Sequence, residues 1–239
     1  MKYKLTENKI EVSGITLYQI ECVTAFNNVS AGNKGGYIEK LENLSQDGDA
    51  WVYGDARVYG DARVCGNARV YGDAEVYGDA WVCGDARVCD NARVCDNARV
   101  CDNARVYDNA EVCGDAEVCG DARVYGDAWI CGDAWVCGNA RVCGDAWVCG
   151  NARVCGDARV CGNARVYGDA DILWISKIGS RLGTTTVFKI KGGSVGISCG
   201  CFLGTLEEFE TIVRDTHKDN KFGKEYQVLI DLIKIHFDI

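Results

Sequence analysis

An apolar position recurs every six residues through the middle of the chain. From Val52 to Ile172 every sixth residue is Val or Ile, and an Ala lies two residues before each of them. In an extended strand this alternation predicts that Ala and Val point inward, whereas the residue between them and the following Cys or Tyr point outward. Each hexad therefore predicts one four-residue strand. A helix is excluded, because a period of six does not keep one apolar stripe on a helix of 3.6 residues per turn.

A polar pair separates each predicted strand from the next. Twenty-one hexads run from Gly48 to Ile172 without an insertion, and their consensus is V-C/Y-G-D/N-A-R. Gly tolerates the positive φ that a tight corner requires, and Asp or Asn can hydrogen-bond the nearby backbone. A fixed short period indicates a solenoid, and its corners predict solvated ladders of Asp and Asn. Calcium binding at these corners is less favoured, because the nine-residue Gly-Asp calcium repeat is absent.

The hexads, with an aliphatic residue and a small residue four positions later, resemble those of hexapeptide-repeat proteins. The lead-in Gly35-Gly36-Tyr37-Ile38-Glu39, followed by residues 43–52, is similar to that of bacterial and phage members often labelled transferases or polymer-forming proteins. The resemblance implies a left-handed parallel β-helix, a triangular solenoid in which three hexads form one coil. The 21 hexads then imply about seven coils. The resemblance implies no single function, because this fold hosts acyltransferases, carbonic anhydrases and scaffolds.

Both flanks of the repeat lack hexads and are expected to cap it. Residues 1–47 predict short strands at 9–12 and 16–20, and the open end of a solenoid requires such a cover for its strand edges and core. The solenoid itself is expected to span residues 48–172. Residues 173–239 predict a small ββαα domain, with strands at 184–191 and 194–199 around the hairpin signal Gly192-Gly193. Thr205 and Glu208 form a capping box that begins a helix reaching about residue 216, and a second helix spans about residues 224–237.

Composition narrows the class of protein. The 239 residues include 16 Cys and no Pro, and no apolar run approaches the ~20 residues of a membrane helix. The first residues show no stretch of signal-peptide type, so a cytoplasmic protein with reduced Cys is expected. The net charge of −9 lies entirely in residues 48–172, which hold 12 Arg and 21 acidic residues. Non-specific binding of nucleic acid and binding to membranes are therefore disfavoured.

If three hexads form one coil, residues 18 apart stack on one of three faces. The first face begins with Trp51 and continues with six arginines, which we call the arginine column: Arg69, Arg87, Arg105, Arg123, Arg141 and Arg159. The second and third faces mix Arg with Glu and Trp. Two interpretations of the column stand. Each Arg pairs with a nearby corner Asp, or the column is a rigid strip that binds an anionic partner.

The cysteines of the repeat also stack. The third face stacks Cys65, Cys83, Cys101, Cys119, Cys137 and Cys155, and the second stacks Cys95, Cys113, Cys131 and Cys149. Neighbouring Cα atoms would lie ~4.8 Å apart, close enough for a disulfide, but a reducing compartment predicts free thiols. Zinc is disfavoured, because a flat column offers no tetrahedral pocket and the repeat contains no His. No metal and no other cofactor is predicted.

Trp129, Trp135 and Trp147 lie beside these cysteines and make an apolar exterior. Monomers rarely expose wide apolar patches, and Trp often anchors interfaces. We therefore expect a protein partner or a second copy of the chain to bury at least one of them, as in a homo-oligomer with side-to-side packing of solenoids.

The residues after the repeat hold a dense set of reactive side chains: Arg181, Thr185, Cys199, Cys201 and His217. A Cys beside a His could form a nucleophile, two Cys and one His could ligate zinc, and Arg181 with Thr hydroxyls could hold a phosphate. The zinc site lacks an evident fourth ligand, the nucleophile lacks an Asp or Asn that orients the His, and the phosphate site lacks the spacing of a phosphate loop. A packed cap with a buried Cys pair and a surface His is the favoured interpretation.

The hexads bear on catalysis as well. In hexapeptide-repeat acyltransferases the catalytic His lies on or beside the coils, often near a protruding loop, and the hexads here contain neither a His nor an inserted loop. The sequence therefore favours a non-catalytic scaffold that binds a protein or an anionic ligand and self-associates, including as a phage or host-interaction factor. The alternative is an acyltransferase-like enzyme, or a small-ligand or nucleotide-binding protein that uses the C-terminal domain.

Overall fold

The N-terminal segment forms a small sheet that continues into the solenoid. The computed structural model describes residues 1–239, beginning with β1 (Tyr3–Val12), β2 (Ile15–Cys22), β3 (Lys34–Ile38) and a 3-10 turn at Leu41–Asn43. β1, β2 and β3 pair in antiparallel fashion, and β3 then pairs in parallel with the hexad strand that contains Val58. Because Ile38 lies opposite Val58 and Leu44 bridges to Val64, the inward column begins one partial coil before the first hexad.

The hexads form strands of two residues rather than four, because the chain already turns on either side of the outward residue and the following Val. These twenty strands, β4 to β23, are Trp51–Val52, Arg57–Val58, Arg63–Val64, Arg69–Val70, Glu75–Val76, Trp81–Val82, Arg87–Val88, Arg93–Val94, Arg99–Val100, Arg105–Val106, Glu111–Val112, Glu117–Val118, Arg123–Val124, Trp129–Ile130, Trp135–Val136, Arg141–Val142, Trp147–Val148, Arg153–Val154, Arg159–Val160 and Arg165–Val166.

Strands that are 18 residues apart pair in parallel and build three faces. The first face has seven strands, the third has six, and the second belongs to a ten-stranded sheet that includes β1 to β3. The predicted solenoid of about seven coils is thereby confirmed. The Ala and Val positions from Ala50 to Val166 are at most 1% exposed, which places them in one continuous core. The last hexad leaves the solenoid, because Asp169–Asp171 form a 3-10 turn.

The corners combine left-handed backbone with side-chain ladders. Gly supplies the positive φ at most of them, and Asp90, Asp96, Asp102 and Asp108 adopt it at four consecutive corners with φ of 58–60°. Asn side chains donate to the residue one coil further on, as in the 3.0 Å bond from Asn67 Nδ2 to Asp85 Oδ1. The predicted ladders are present in several further pairs, Asn91–Asn109, Asn97–Asp115, Asn109–Asp127 and Asn139–Asp157.

Trp51 was expected on the outer surface and is instead 1% exposed. The N-terminal segment folds over it, since its ring lies 6.0 Å from Tyr3 and 5.5 Å from Phe26, both edge to face. The Tyr3 hydroxyl donates to the Leu44 carbonyl at 2.6 Å, which ties the segment to the first coil. The first solenoid strand is therefore sealed on its outer side.

The C-terminal end carries a four-stranded antiparallel sheet and two helices, where only two strands were predicted. The strands are β24 (Ile172–Ile178), β25 (Gly183–Lys189), β26 (Val195–Cys199) and β27 (Phe202–Thr205), and the helices are α1 (Leu206–His217) and α2 (Lys221–Phe237). The capping box of Thr205 and Glu208 is confirmed at the start of α1. α2 begins three residues before the predicted start, because the Asn220 side chain accepts the N–H groups of Phe222 and Gly223.

The C-terminal sheet is joined to the last coils. The Arg159 backbone N–H donates to Thr186 Oγ1 at 2.9 Å, and Phe188 lies in the solenoid core. The helices pack on the sheet through a second core that includes Val187, Ile197 and Ile230. Neither helix has the length and apolarity needed to cross a membrane.

Two of the stacked cysteine pairs are disulfides, so the expectation of free thiols throughout is wrong for them. Cys131 is bonded to Cys149 and Cys137 to Cys155, with Cα atoms 4.6 and 4.7 Å apart. The in-register stacking of parallel strands brings these Cα atoms within disulfide range without any distortion of the coil. The other twelve cysteines are free thiols.

Candidate functional site

The arginine column stands in register along the first face. Parallel pairing places Arg69 opposite Arg87, Arg87 opposite Arg105, and so on to Arg159. None of the six guanidinium groups forms an ion pair within 4.0 Å of a carboxylate oxygen. The absence of these ion pairs argues against the interpretation that each Arg pairs with its own corner Asp, and neighbouring guanidinium groups at strand spacing repel one another.

Two corner acids beside the arginine column are engaged elsewhere. Asp85 and Asp157, which lie just before first-face strands, accept hydrogen bonds from the side-chain amides of Asn67 and Asn139, each at 3.0 Å. The alternation of Asp and Asn along this corner thus gives these two carboxylates a partner along the solenoid axis. The guanidinium groups are left available for another anion.

Several arginines on the other two faces do have partners within the chain. Arg57 pairs with Glu75 at 2.8 Å. Arg99, Arg153 and Arg165 lie over the rings of Trp81, Trp135 and Trp147 at 5.6, 5.7 and 4.6 Å from the ring centroids. The arginine column therefore differs from its neighbours in its surroundings as well as in its sequence.

Tyrosines line one edge of the arginine column. Tyr53, Tyr71, Tyr107 and Tyr125 follow the first-face strands, and the rings of Tyr107 and Tyr125 stack 5.0 Å apart. Burial raises the pKa of Tyr71 to about 12, so its hydroxyl stays protonated at neutral pH. Arg69 and Arg87 with Tyr53, Tyr71 and Asn28 line a shallow groove of about 380 Å³. The first face thus offers cations and neutral hydroxyls side by side.

The C-terminal end of the arginine column meets a pair of thiols. Cys143 and Cys161 are buried and lie one coil apart beside Arg159. The hydrogen bond from the Cys161 thiol, which outweighs burial, lowers the pKa of Cys143 to about 6, with help from the Tyr125 hydroxyl and the Arg159 charge. The periodic pattern predicted the stacking of these two residues but not the acidity of one of them.

The three predicted interface tryptophans differ in exposure. Trp135 is 40% exposed, whereas Trp129 and Trp147 are partly buried and pack edge to face with ring centroids 4.9 Å apart. Trp81, on the same face as Trp135, is 42% exposed. The Trp135 indole N–H donates to Cys119 Sγ at 3.2 Å. The third face therefore presents more free indole surface than the second.

The C-terminal candidates do not assemble into one site. Thr185 is buried and donates to Cys199 Sγ at 3.2 Å, and Cys199 lies 3.7 Å from the Tyr226 hydroxyl. His217 stacks on the ring of the same tyrosine at a centroid distance of 5.5 Å, so Tyr226 separates the imidazole from the thiol. Arg181 and Cys201 are exposed in turns outside this contact, so the expectation of a buried Cys pair is wrong for Cys201. These residues form a packed, hydrogen-bonded cap. They are brought together neither as a Cys–His pair nor as a Cys–Cys–His set of metal ligands.

An apolar stripe on α2 was not singled out from the sequence. Val228, Leu232 and Ile235 are 70, 40 and 78% exposed, and their spacing of four and three residues puts them on one side of the helix. The same periodicity that predicted the buried side of α2 contains these positions, so the signal was present in the sequence.

The fold and the repeat together define a class: this is a β-solenoid repeat protein, mainly β, with a small antiparallel sheet and two helices at its C-terminal end. Stretches of the chain match the family described as YdcK Beta solenoid repeat, at residues 50–66, 62–78, 68–84, 98–114, 116–132, 134–150 and 158–170. These stretches cover less than half of the chain and lie inside the solenoid, so the similarity concerns the repeat. No curated protein matches the chain.

Proposed function

We propose that the protein is a non-catalytic scaffold whose arginine column binds an acidic protein surface. One observation carries the proposal: six in-register guanidinium groups have no carboxylate within ion-pair distance. Arg forms bidentate hydrogen bonds with carboxylates, and a fork held on a rigid strand loses little entropy on binding. A row of carboxylates on a partner would offset the repulsion within the column.

The charge of the whole chain favours a protein partner over nucleic acid. The net charge is −9, and Asp85 and Asp121 line the same shallow surface as Arg87, Arg105 and Arg123. Long-range attraction of a polyphosphate is weak under these conditions, because flanking acids cancel the field beyond about one Debye length. Close contact with individual carboxylates does not need that field.

Self-association through the third face is the second part of the proposal. Trp81 and Trp135 are the most exposed tryptophans and lie on that face, each beside a Cys that accepts its indole N–H. Two solenoids packed side by side would cover both rings while leaving the first face open. Sedimentation of the wild type and of Trp135→Glu at equal concentration tests this, and an unchanged monomer in both would overturn it.

The acyltransferase alternative gains no specific support. His217 is held between Tyr226 and Phe222, at centroid distances of 5.5 and 6.0 Å. It contacts neither the solenoid strands nor a free thiol, so no observation favours it as a base.

A pair of charge reversals tests the arginine column. The variant Arg105→Glu/Arg123→Glu should bind an acidic peptide, poly-glutamate of defined length, at least tenfold more weakly than the wild type. The matched control Arg63→Glu/Arg153→Glu changes the net charge equally on the third face and should bind within threefold of the wild type. Equal loss in both variants would show a general charge effect, and tighter binding of a DNA oligonucleotide than of the peptide would identify a phosphate site instead.

A further inference from the structure

Two consecutive hexads of the solenoid share the same departures from the repeat. Where most corners have Gly, residues 96 and 102 are Asp, and where most outward positions have Arg or Trp, residues 111 and 117 are Glu. Each Asp directly follows a Cys, and a second Cys lies one coil further on. Two sets six residues apart result, which we call site A (Cys95, Asp96, Glu111, Cys113) and site B (Cys101, Asp102, Glu117, Cys119).

Three ligand atoms converge in each set. In site A one sulfur each of Cys95 and Cys113 and a carboxylate oxygen of Asp96 lie within 4.8 Å of one another. In site B the sulfurs of Cys101 and Cys119 and an oxygen of Asp102 meet the same limit. A tetrahedral zinc ion with Zn–S bonds of ~2.3 Å needs sulfurs ~3.8 Å apart, which small side-chain rotations reach from these positions.

A glutamate stands two residues before the second Cys of each set, Glu111 before Cys113 and Glu117 before Cys119. Glu111 and Glu117 stand opposite Arg93 and Arg99 in the register, as Glu75 stands opposite Arg57.

Only the Arg57–Glu75 pair forms a salt bridge, at 2.8 Å. Arg99 lies over the Trp81 ring instead, and Glu117 Oε1 lies 4.0 Å from Cys101 Sγ. Both glutamates are partly buried without a counter-charge, which costs free energy unless a cation binds.

Indole groups complete the surroundings in the same way at both sites. The Trp129 N–H donates to Cys113 Sγ at 3.0 Å, and the Trp135 N–H donates to Cys119 Sγ at 3.2 Å. An indole N–H can only donate, so it can serve a thiolate as well as a thiol, and Trp81 makes the same bond to Cys65 outside the two sites at 3.1 Å. Donors of this kind orient and stabilise metal-bound thiolates.

The corner backbone holds each carboxylate in place. One oxygen of Asp96 accepts the N–H of Gly114, and one oxygen of Asp102 accepts the N–H of Gly120, both at 3.0 Å. Asp108 makes the same bond to Gly126 at 3.0 Å but follows Tyr107 rather than a Cys. The hydrogen bond therefore accounts for an Asp at a left-handed corner, whereas an Asp together with a stacked pair of thiols occurs only at the two sites.

We propose that sites A and B each bind one zinc ion through two thiolates and the corner Asp, with the Glu as the fourth ligand. Thiolate and carboxylate ligands suit Zn²⁺, and the two thiols release their protons to solvent when the ion binds. The ions would clamp neighbouring coils on the N-terminal side of the two disulfides, which occupy the same two columns of cysteines.

The repeat itself supplies variants that test the sites without disturbing the fold. Asp96→Gly/Asp102→Gly restores the consensus Gly, which tolerates the φ of 58° at both corners better than Asp does. Asp108→Gly removes the same hydrogen bond away from any thiol pair. Cys65→Ser removes a stacked thiol whose corner residue is Gly66 and whose coil has no outward Glu.

The measurement is equilibrium dialysis of the full chain against Zn²⁺ alone, under anaerobic conditions, with bound metal counted by elemental analysis. The wild type, Asp108→Gly and Cys65→Ser should each bind two more ions per chain than Asp96→Gly/Asp102→Gly. Zn²⁺ should also raise the unfolding temperature of the first three proteins but not of the double variant. Cd²⁺ in place of Zn²⁺ should produce a thiolate charge-transfer band that the double variant lacks.

Three results would overturn the proposal. The first is a wild type that binds no Zn²⁺ above the level of the double variant. The second is a double variant that keeps both ions, which would assign binding to the stacked thiols alone. The third is a Cys65→Ser variant that loses as many ions as the double variant, which would place the metal elsewhere in the third-face column.

Discussion

Replacing Arg105 by Gln should stabilise the protein, which is unusual for a residue in a regular element. Arg105 lies in register between Arg87 and Arg123 and has no carboxylate partner. Two unit charges separated by the strand spacing of ~4.8 Å repel by about 0.9 kcal/mol in water, and by about 0.6 kcal/mol if the side chains splay to ~7 Å. With two neighbours the repulsion is at most about 1–2 kcal/mol without salt, and Asp85 and Asp121 on the same surface reduce it.

Screening reduces this figure under ordinary conditions. The Debye length is ~8 Å at 0.15 M salt and ~3 Å at 1 M, so about half of the repulsion remains at the lower concentration and little at the higher. Arg105→Gln should therefore raise the free energy of unfolding by about 0.5–1 kcal/mol at 0.15 M salt, and the gain should disappear near 1 M. Urea unfolding followed by circular dichroism at several salt concentrations measures both effects.

Arg57→Gln is the matched control because Arg57 has a partner. It removes the 2.8 Å ion pair with Glu75 and leaves that partly buried carboxylate without its cation. A loss of about 0.5–1 kcal/mol is expected, the upper range for a pair near the surface. Opposite signs for the two substitutions would support a column kept for binding. A loss of stability in Arg105→Gln equal to that in Arg57→Gln would refute the reasoning, since the column would then stabilise the fold.

Three further predictions concern the core, the cap and the thiols. Val106→Asp should abolish soluble expression, because a fully buried position would receive an unpaired charge at a cost of several kcal/mol. The control Val106→Ala should stay soluble, and a well-folded Asp variant would contradict the core assignment. Thr205→Ala should cost about 1 kcal/mol of unfolding free energy through the lost cap, while Thr205→Ser keeps it; equal stability of both would contradict this. Alkylation of Cys143, followed by mass spectrometry, should rise near pH 6, where its thiolate forms. Cys89, whose pKa burial raises to about 11, should stay unreactive up to pH 9. A common rise of both would disprove the difference.

The hexad pattern was sufficient to predict the solenoid and the residues that stack along it. A six-residue period in Val and Ala predicts a solenoid, and the resemblance to hexapeptide-repeat proteins implies three hexads per coil, which the pairing of strands 18 residues apart confirms. The arginine column and the cysteine columns follow from that register alone. The capping box at Thr205 was also predicted, because a cap is a contact between residues three apart.

Which side chains contact one another across distant parts of the chain depends on the tertiary structure. Trp51 has an outward hexad position, but its burial depends on Tyr3 and Phe26 in a segment with no repeat. The hexad pattern predicted the ladders of corner Asp and Asn, but it left open whether the arginine column also pairs with the corner acids, and only the structure shows that no such ion pair forms. A period specifies which residues stack, whereas the rotamers that choose among competing partners, and the non-repetitive segments that cover the ends, depend on contacts formed once the chain has folded.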